Sequence, residues 1–224
     1  MSVSYSVVSI GTLSRNRFWN ENQARRPAHA TTTLLRDGNQ TILVDPGLPG
    51  EVLAHRLDER TGLTPDQIDV VFLTTFRPVH RRALPLFEKA TWLMHGPEIE
   101  AMRAHLTEMI ERARTEPDEI VRLVREERTL LERFRPADDR ITPNVHLFPT
   151  PGITPGSAAL LVPLPMRTLV IAGDAVVTQD YYEAGRVFEQ VADVELARES
   201  LTELVEIADE IIPGHDNIFR VMGR

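Results

Sequence analysis

Apolar runs near the start of the chain predict the first strands of a sheet. Residues 3–13 and 31–45 are rich in Val, Ile, Thr and Leu. Within the second segment, Asp37-Gly38-Asn39 has the composition of a hairpin turn, which predicts an antiparallel strand on either side of it. The polar segment Ser14–Ala30 has no clear period, so we expect a loop there.

Residues 51–74 predict a short helix, a capped helical turn and then a further strand. Glu51–Arg60 predicts a short helix, and Thr64-Pro65-Asp66-Gln67 supplies an N-cap, a proline at the first helical position and a glutamine able to close a capping box. The run DVVFLT at residues 69–74 has strand length and suits a strand buried on both faces. We expect functional residues at the carboxyl end of this strand.

The middle of the chain changes to helical spacing. Two series of apolar residues recur there at helical intervals, first Ile99, Met102, Leu106, Met109 and Ala113, then Ile120, Val124, Leu131 and Phe134. Pro117 and Pro136 punctuate the two helices, which predicts a helical insertion over about residues 97–140. Its outer faces are dense in Arg and Glu, favouring a solvated surface with i,i+4 ion pairs. A lid over the site or a dimer contact is the functional alternative.

Strand patterns return in the second half, at residues 145–148, 158–164 and 168–172. An amphipathic helix is predicted over residues 191–209, and a last strand at Ile211. Strands and helices alternating in two halves predict a layered α/β protein. Because the 224 residues contain no linker-like stretch, we expect one domain over residues 1–224.

Composition narrows the possible chemistry. The chain has no cysteine, so a bound metal must be held by His, Asp, Glu or water. A formal charge of −8 repels phosphate backbones and argues against nucleic acid as a partner. Because we find no secretory leader pattern and no apolar run of about 18 residues, we expect a cytoplasmic protein with no membrane partner.

Five short blocks follow one another in an order known from a metalloenzyme family. They read ILVDPG (42–47), LTTFRPVH (73–80), TPGITPGS (150–157), IAGDAV (171–176) and IIPGHD (211–216). In order, spacing and flanking apolar strands, these blocks resemble the metallo-β-lactamase fold, and the first and last segments resemble the branch typified by metallo-β-lactamase domain-containing protein 1. The resemblance implies an αββα four-layer sandwich.

The resemblance also implies which metal ligands are lost and which are kept. The family's ligand loop reads THxHxDH. Here Thr75 and Arg77 stand at its first two His positions, Val79 stands at its Asp position, and Ile153 stands at a third His position. The ligands that remain are His80, Asp174 at the bridging carboxylate position, and His215. This degenerate set implies at most one divalent metal, zinc first, with iron(II) or manganese as alternatives.

Two further residues take roles from the same comparison. Asp45 matches an Asp that supports the ligand loop from behind. Arg77 could pair with Asp174, replace the first cation and clamp a substrate carboxylate, or its salt bridge could close the site. Asp174 and Arg77 are therefore the candidate catalytic residues.

Other polar residues near the predicted site are weaker candidates. A replacement for the missing base could come from Asp180, Glu183 or Asp216. His95 and His146 are possible replacement ligands, whereas His29, His55 and His105 match no ligand position. In the Ser14–Ala30 loop, Phe18 and Trp19 either line a substrate pocket or anchor the loop by burial, and we favour anchoring.

Two hypotheses about function follow. The first is a hydrolase with one metal that acts on an ester, lactone or thioester. The second is a pseudoenzyme that keeps the fold to bind a small acidic ligand or a partner protein. A small molecule is the expected partner in the first case, and a homodimer is possible in either.

Overall fold

The computed structural model describes residues 3–112 and 117–222. Within these residues the strands form two six-stranded sheets. The first sheet consists, in spatial order, of β1 (Ser4–Ser9), β2 (Thr32–Asp37), β3 (Gln40–Val44), β4 (Val70–Leu73), β5 (Thr91–Met94) and β6 (Arg135–Pro136). The second consists of β7 (Arg140–Thr142), β8 (Val145–Pro149), β9 (Ala158–Leu164), β10 (Arg167–Gly173), β11 (Glu210–Pro213) and β12 (Phe219–Arg220), also hydrogen-bonded in chain order.

Helices cover the outer faces of both sheets. They are α1 (Gly50–Thr61), α2 (Gly96–Arg112), α3 (Asp118–Leu131), α4 (Gln179–Glu183) and α5 (Val194–Ile207). Short 3₁₀ segments lie at Arg17–Trp19, Pro65–Gln67, Pro78–His80 and Leu84–Phe87. No helix in the described part of the chain is long and apolar enough to cross a membrane.

Strand alternation explains the four layers. In β2, Leu34 packs with the helices α1–α3, while its neighbour Leu35 packs between the sheets. In β10, Leu169 and Ile171 face the first sheet, and Val170 packs with α5. Because both faces of these strands are covered, their sequences read as continuous apolar runs. The predicted αββα sandwich is confirmed.

The helical insertion is shorter than predicted. α3 ends at Leu131, so residues 132–140 do not continue the helix, and Pro136 lies in β6 at the edge of the first sheet. Phe134 is buried against the rings of Phe76 and Trp92 in the segment leading to that strand. Of the predicted apolar series, Met109 and Ile120 are exposed, and Ala113 lies outside the described residues.

The surface of the insertion is solvated, as favoured from the sequence. Arg103 and Arg128 both pair with Glu132 on the outer face, and Arg112 pairs with Glu108. These pairs are exposed and each contributes little to stability. The inner face packs on the first sheet through Ile99, Leu106, Val124 and Leu131.

Four strand ends place the predicted site residues along one edge of the sandwich. Asp45 directly follows β3, and Thr74 follows β4. Asp174 follows β10, and His215 lies two residues beyond β11. β3 is parallel to β4, and β10 is parallel to β11, so each pair of strands ends at the same edge.

Candidate metal centre and adjoining cavity

Three buried side chains converge where the two sheets meet. His80 lies in the 3₁₀ turn after β4, Asp174 follows β10 and His215 follows β11. Their candidate ligand atoms all lie within 4.8 Å of one another. The structure therefore brings together the three residues that the sequence analysis proposed as ligands.

The outer nitrogen of each imidazole already has an acceptor. His80 Nδ1 lies 3.0 Å from Asp45 Oδ2, and His215 Nδ1 lies 2.9 Å from the carbonyl oxygen of His29. A carboxylate and a carbonyl can only accept, so both Nδ1 atoms carry the proton. Each Nε2 then faces Asp174 Oδ1 at 3.2 Å, so both nitrogens are directed at the same carboxylate oxygen.

Asp45 supports the ligand loop from behind, as predicted. Its Oδ1 accepts from Thr74 N at 2.9 Å, and its Oδ2 accepts from Thr74 Oγ1 at 2.7 Å. Asp45 itself adopts a positive φ of 50°, an uncommon conformation that Asp tolerates better than most residues. Gly173 allows the close approach from the other sheet, because a Cβ there would lie 2.3 Å from Thr74 Oγ1.

The buried charges shift each other's protonation. Burial alone would lower the pKa of His80, but Asp174 and Asp45 outweigh it and raise that pKa from 6.5 to about 10. Burial would raise the pKa of Asp174, yet His80 and His215 hold it well below its usual range. In the metal-free chain His80 is therefore a cation at neutral pH and Asp174 is an anion.

Arg77 points into the site. Its Nη1 donates to Asp174 Oδ2 at 2.8 Å, and its Nη2 donates to the carbonyl oxygens of Ile153 and Gln190. The guanidinium also stacks near Phe188, with Cζ 5.7 Å from the ring centroid. Because both terminal nitrogens already bond protein oxygens, the geometry favours Arg77 as a fixed cation beside Asp174 over a clamp for a substrate carboxylate.

A buried carboxylate joins the ligand loop, which carries Arg77, to the loop between β8 and β9. Glu98, in the first turns of α2, is fully buried. Its Oε1 accepts from Thr75 Oγ1 and from Phe76 N, and its Oε2 accepts from Thr154 Oγ1 and from Gly156 N, at 2.7–3.2 Å. Thr75 stands at one lost His position and Thr154 directly follows another, so Glu98 links the two loops that carry those positions.

A cavity of about 400 Å³ opens beside the centre. Asp174, His215 and Arg77 form part of its wall. The rest comes from the loop after β1, from the ligand loop after β4 and from residues in or near α4: Leu13, Ser14, Arg15, Arg17, Ala28, Pro78, Val79, Tyr181, Phe188, Glu189 and Gln190. No described residue of α2 or α3 lines it, so the helical insertion is not a lid over this cavity.

The Ser14–Ala30 loop lines the cavity with residues other than Phe18 and Trp19. Phe18 packs edge-on against Tyr181, with ring centroids 5.0 Å apart, and Trp19 Nε1 donates to Asp180 at 2.9 Å. Neither aromatic side chain lines the cavity, although Trp19 remains exposed. They attach the loop to α4 by surface contacts and not by the burial that we favoured, because Phe18 is 38% and Trp19 57% exposed.

The remaining candidates have structural partners. Asp180 accepts from Asn16 and Trp19, and Glu183 accepts from Gln179 Nε2. Asp216 accepts from the backbone N–H groups of Gln179 and Asn217. None of the three acidic residues lines the cavity.

The histidines outside the centre do not join it. His95 Nδ1 contacts the Gly156 carbonyl at 2.9 Å, and His29 contacts the carbonyls of Ile10 and Pro27. His146 lies within β8. Among the described residues, the group able to hold a metal contains none of them.

The fold and site agree with one family of proteins. A sequence model of the metallo-beta-lactamase superfamily matches residues 25–215. The chain belongs to the metallo-beta-lactamase superfamily. No curated protein matches it by sequence.

Solved structures of the superfamily share the fold at low identity. A candidate metallo-beta-lactamase from Thermotoga maritima is 16% identical, with a TM-score of 0.71 and coverage of 98% of this chain and 100% of that one. The dizinc quorum-quenching lactonase AidC is 15% identical, with a TM-score of 0.66 over 83% and 72% of the two chains. A B. thuringiensis AiiA variant with N-decanoyl-L-homoserine bound is 20% identical, with a TM-score of 0.65 over 96% and 94%.

The two-metal arrangement implied by the superfamily does not fit this chain. Ile153 offers no side-chain ligand, and the Thr75 hydroxyl is used on Glu98. The Arg77 guanidinium already donates to Asp174 Oδ2. A single divalent ion does fit, because two imidazole Nε2 atoms and Asp174 Oδ1 converge with both Nδ1–H groups fixed by acceptors.

Four residues with contacts at the site were not singled out from the sequence. Glu98, Tyr181 and Glu189 lie in segments with no matched motif, and Arg15 lies in a loop without a period. Glu189 accepts from Tyr181 Oη and pairs with Arg17, both at 2.9 Å. Burial and this hydrogen bond raise the pKa of Tyr181. The available signal was position, since Arg15 lies within the block SVVSIGTLSRN at residues 6–16, which resembles the family, and Arg17 directly follows it.

Proposed function

We propose that this metallo-beta-lactamase superfamily member is a hydrolase with a single-metal site that acts on an ester, lactone or thioester. The observation that carries this proposal is the convergence of both Nε2 atoms on Asp174 Oδ1. His80, Asp174 and His215 would hold one divalent ion, zinc first, with iron(II) or manganese as alternatives. The likeness to AidC, described as a lactonase, supports this substrate class.

The chain's own residues supply the rest of the proposed chemistry. A divalent ion held here would polarise a carbonyl and lower the pKa of water. Arg77 keeps a positive charge beside Asp174 and faces the cavity, where it would stabilise negative charge developing on a substrate oxygen. Val79 cannot act as a base, whereas Glu189 lines the same cavity and is our candidate to accept a proton.

Hydrolysis assays test this proposal directly. Protein reconstituted separately with zinc, manganese and iron(II) would be assayed against a panel of esters, lactones and thioesters. His80→Ala is expected to lower kcat/KM by at least about 100-fold, because it removes a metal ligand. His105→Ala, an exposed histidine on α2, is the matched control and should retain activity. Protein with full metal occupancy that hydrolyses nothing in the panel would refute the proposal.

One observation favours the second candidate, a pseudoenzyme that binds a small acidic ligand or a partner protein. With His80 protonated, the buried anions Asp45 and Asp174 are balanced by the cations His80 and Arg77. This set is neutral without a metal. The pseudoenzyme predicts that zinc, iron(II) and manganese leave the melting temperature unchanged, whereas the hydrolase predicts that the resident metal raises it.

A further inference from the structure

The charges on the cavity wall pair off with one exception. Arg77 pairs with Asp174 at 2.8 Å, and Arg17 pairs with Glu189 at 2.9 Å. Arg15 lines the same cavity and is exposed. Within the described part of the chain it forms no ion pair and no side-chain hydrogen bond. The wall therefore carries one uncompensated positive charge.

The positive charge of Arg15 is opposite in sign to the net charge of the protein. The chain has a formal charge of −8, so an excess of positive charge in this cavity is not a general property of its surface. The positive charges also affect a neighbouring group on the wall. Arg15 and Arg17 each act to lower the pKa of Tyr181, whereas burial and the hydrogen bond to Glu189 raise it. A single anionic group beside Arg15 would balance the wall.

The remaining wall is partly apolar. Leu13, Val79 and Phe188 line the cavity together with Ala28 and Pro78. A volume of about 400 Å³ falls within the range of roughly 300–1,000 Å³ common for small-molecule sites. Such a wall favours a ligand with an apolar part in addition to its charge.

We propose that the cavity binds a small monoanion, a carboxylate attached to an apolar chain, and that Arg15 binds the carboxylate. An arginine guanidinium matches a carboxylate with two parallel hydrogen bonds, which suits this assignment. The part of the inference that concerns the substrate rests on the proposed hydrolase function: the substrate is an ester, lactone or thioester that carries a separate carboxylate. Arg15 is then a substrate-binding residue that determines specificity.

Calorimetric titration with a matched pair of probes tests the inference. The probes are 4-phenylbutyrate and 4-phenylbutyramide, which have nearly the same shape and differ in charge. The whole chain would be titrated at pH 7.5 and low salt, metal-loaded and chelator-treated in parallel. We expect the carboxylate to bind at least about tenfold more tightly than the amide, with Arg15→Gln removing that advantage. Added salt should weaken the carboxylate alone.

Arg25→Gln is the matched control, because Arg25 is an exposed arginine of the same loop that does not line the cavity. The inference is overturned if neither probe binds, if both bind alike, or if the two variants weaken the carboxylate equally. It is also overturned if the carboxylate binds only to metal-loaded protein and ignores Arg15, since the metal would then be its site. Arg15-dependent binding by a chain that hydrolyses no ester would keep this inference and reject the hydrolase.

Discussion

Asp174 is the residue on which the candidate site depends. Its Oδ1 faces the Nε2 atoms of His80 and His215, and its Oδ2 accepts from Arg77. Arg77 therefore places a permanent cation, which cannot be exchanged or chelated, on one oxygen of this carboxylate. The other oxygen stays in reach of two imidazoles and is the position where a proton and a metal ion compete.

The protonation of His80 makes the metal-free protein sensitive to alkaline pH. The pKa of His80 is raised in the folded chain to about 10, against 6.5 for a free histidine, so its contribution to stability is complete below about pH 6.5 and is lost as pH rises through 10. In chelator-treated protein we expect the free energy of unfolding to fall by about 3 kcal/mol between pH 7 and pH 9.5. Urea unfolding at a series of pH values measures this.

Lysine side chains and Asp174 add little to that slope. The chain contains a single lysine, Lys89, and Asp174 stays ionised throughout this pH range because its pKa is lowered. His80→Ala should remove the slope, and so should a saturating divalent metal if it displaces the proton from His80. Equal slopes in wild type and His80→Ala would show that His80 is not protonated in the folded chain.

At the residue scale the sequence predicted the members of the buried group better than their surroundings. His80, Asp174 and His215 occupy matched motif positions, and Arg77–Asp174 pairing was one of the alternatives considered. Glu98 and Glu189 could not be predicted, because their contacts join segments that are distant in sequence and carry no matched motif. No local pattern encodes such long-range contacts.

At the scale of elements, α2 stabilises the site through Glu98. The Thr75 and Thr154 loops belong to different sheets, and the two oxygens of Glu98 join them with four hydrogen bonds. In the superfamily arrangement a first metal would connect the same loops. In this chain the Glu98 carboxylate connects them through fixed donors.

Glu98→Gln should destabilise the protein. The amide nitrogen cannot accept, so one buried backbone N–H, that of Phe76 or Gly156, loses its partner. We expect a loss of about 2 kcal/mol in the free energy of unfolding, measured by urea titration with the metal state held fixed. Glu100→Gln, an exposed glutamate on the same helix, should change it by less than about 0.5 kcal/mol. Similar values for the two variants would contradict the role of Glu98.

Element boundaries show why helical spacing alone was insufficient. The pattern through Phe134 predicted helix, but α3 ends at Leu131 and Phe134 packs instead against Phe76 and Trp92 before β6. An apolar residue at helical spacing fits equally well a buried turn, because burial rather than period selects it. The buried strand β4 was predicted well, since four adjacent apolar residues suit a strand covered on both faces.

At the scale of the whole molecule, two sheets packed face to face bring their strand ends together at one site. The carboxyl ends of β3, β4, β10 and β11 deliver Asp45, the ligand loop, Asp174 and His215 to the same edge. The family motifs predicted this architecture, because they fix the order of strands and turns. The cavity was less predictable, because its wall combines the loop after β1 with residues around α4.

The measurement that tests the account most directly is the metal content of the purified chain. Protein prepared without chelator or affinity tag would be analysed by mass spectrometry for metals, beside His80→Ala, Asp174→Ala and the control His105→Ala, each checked for folding by circular dichroism. The account predicts close to one divalent ion per chain in wild type and His105→Ala, and loss in the other two variants. Two ions per chain, or none in wild type after reconstitution, would contradict it.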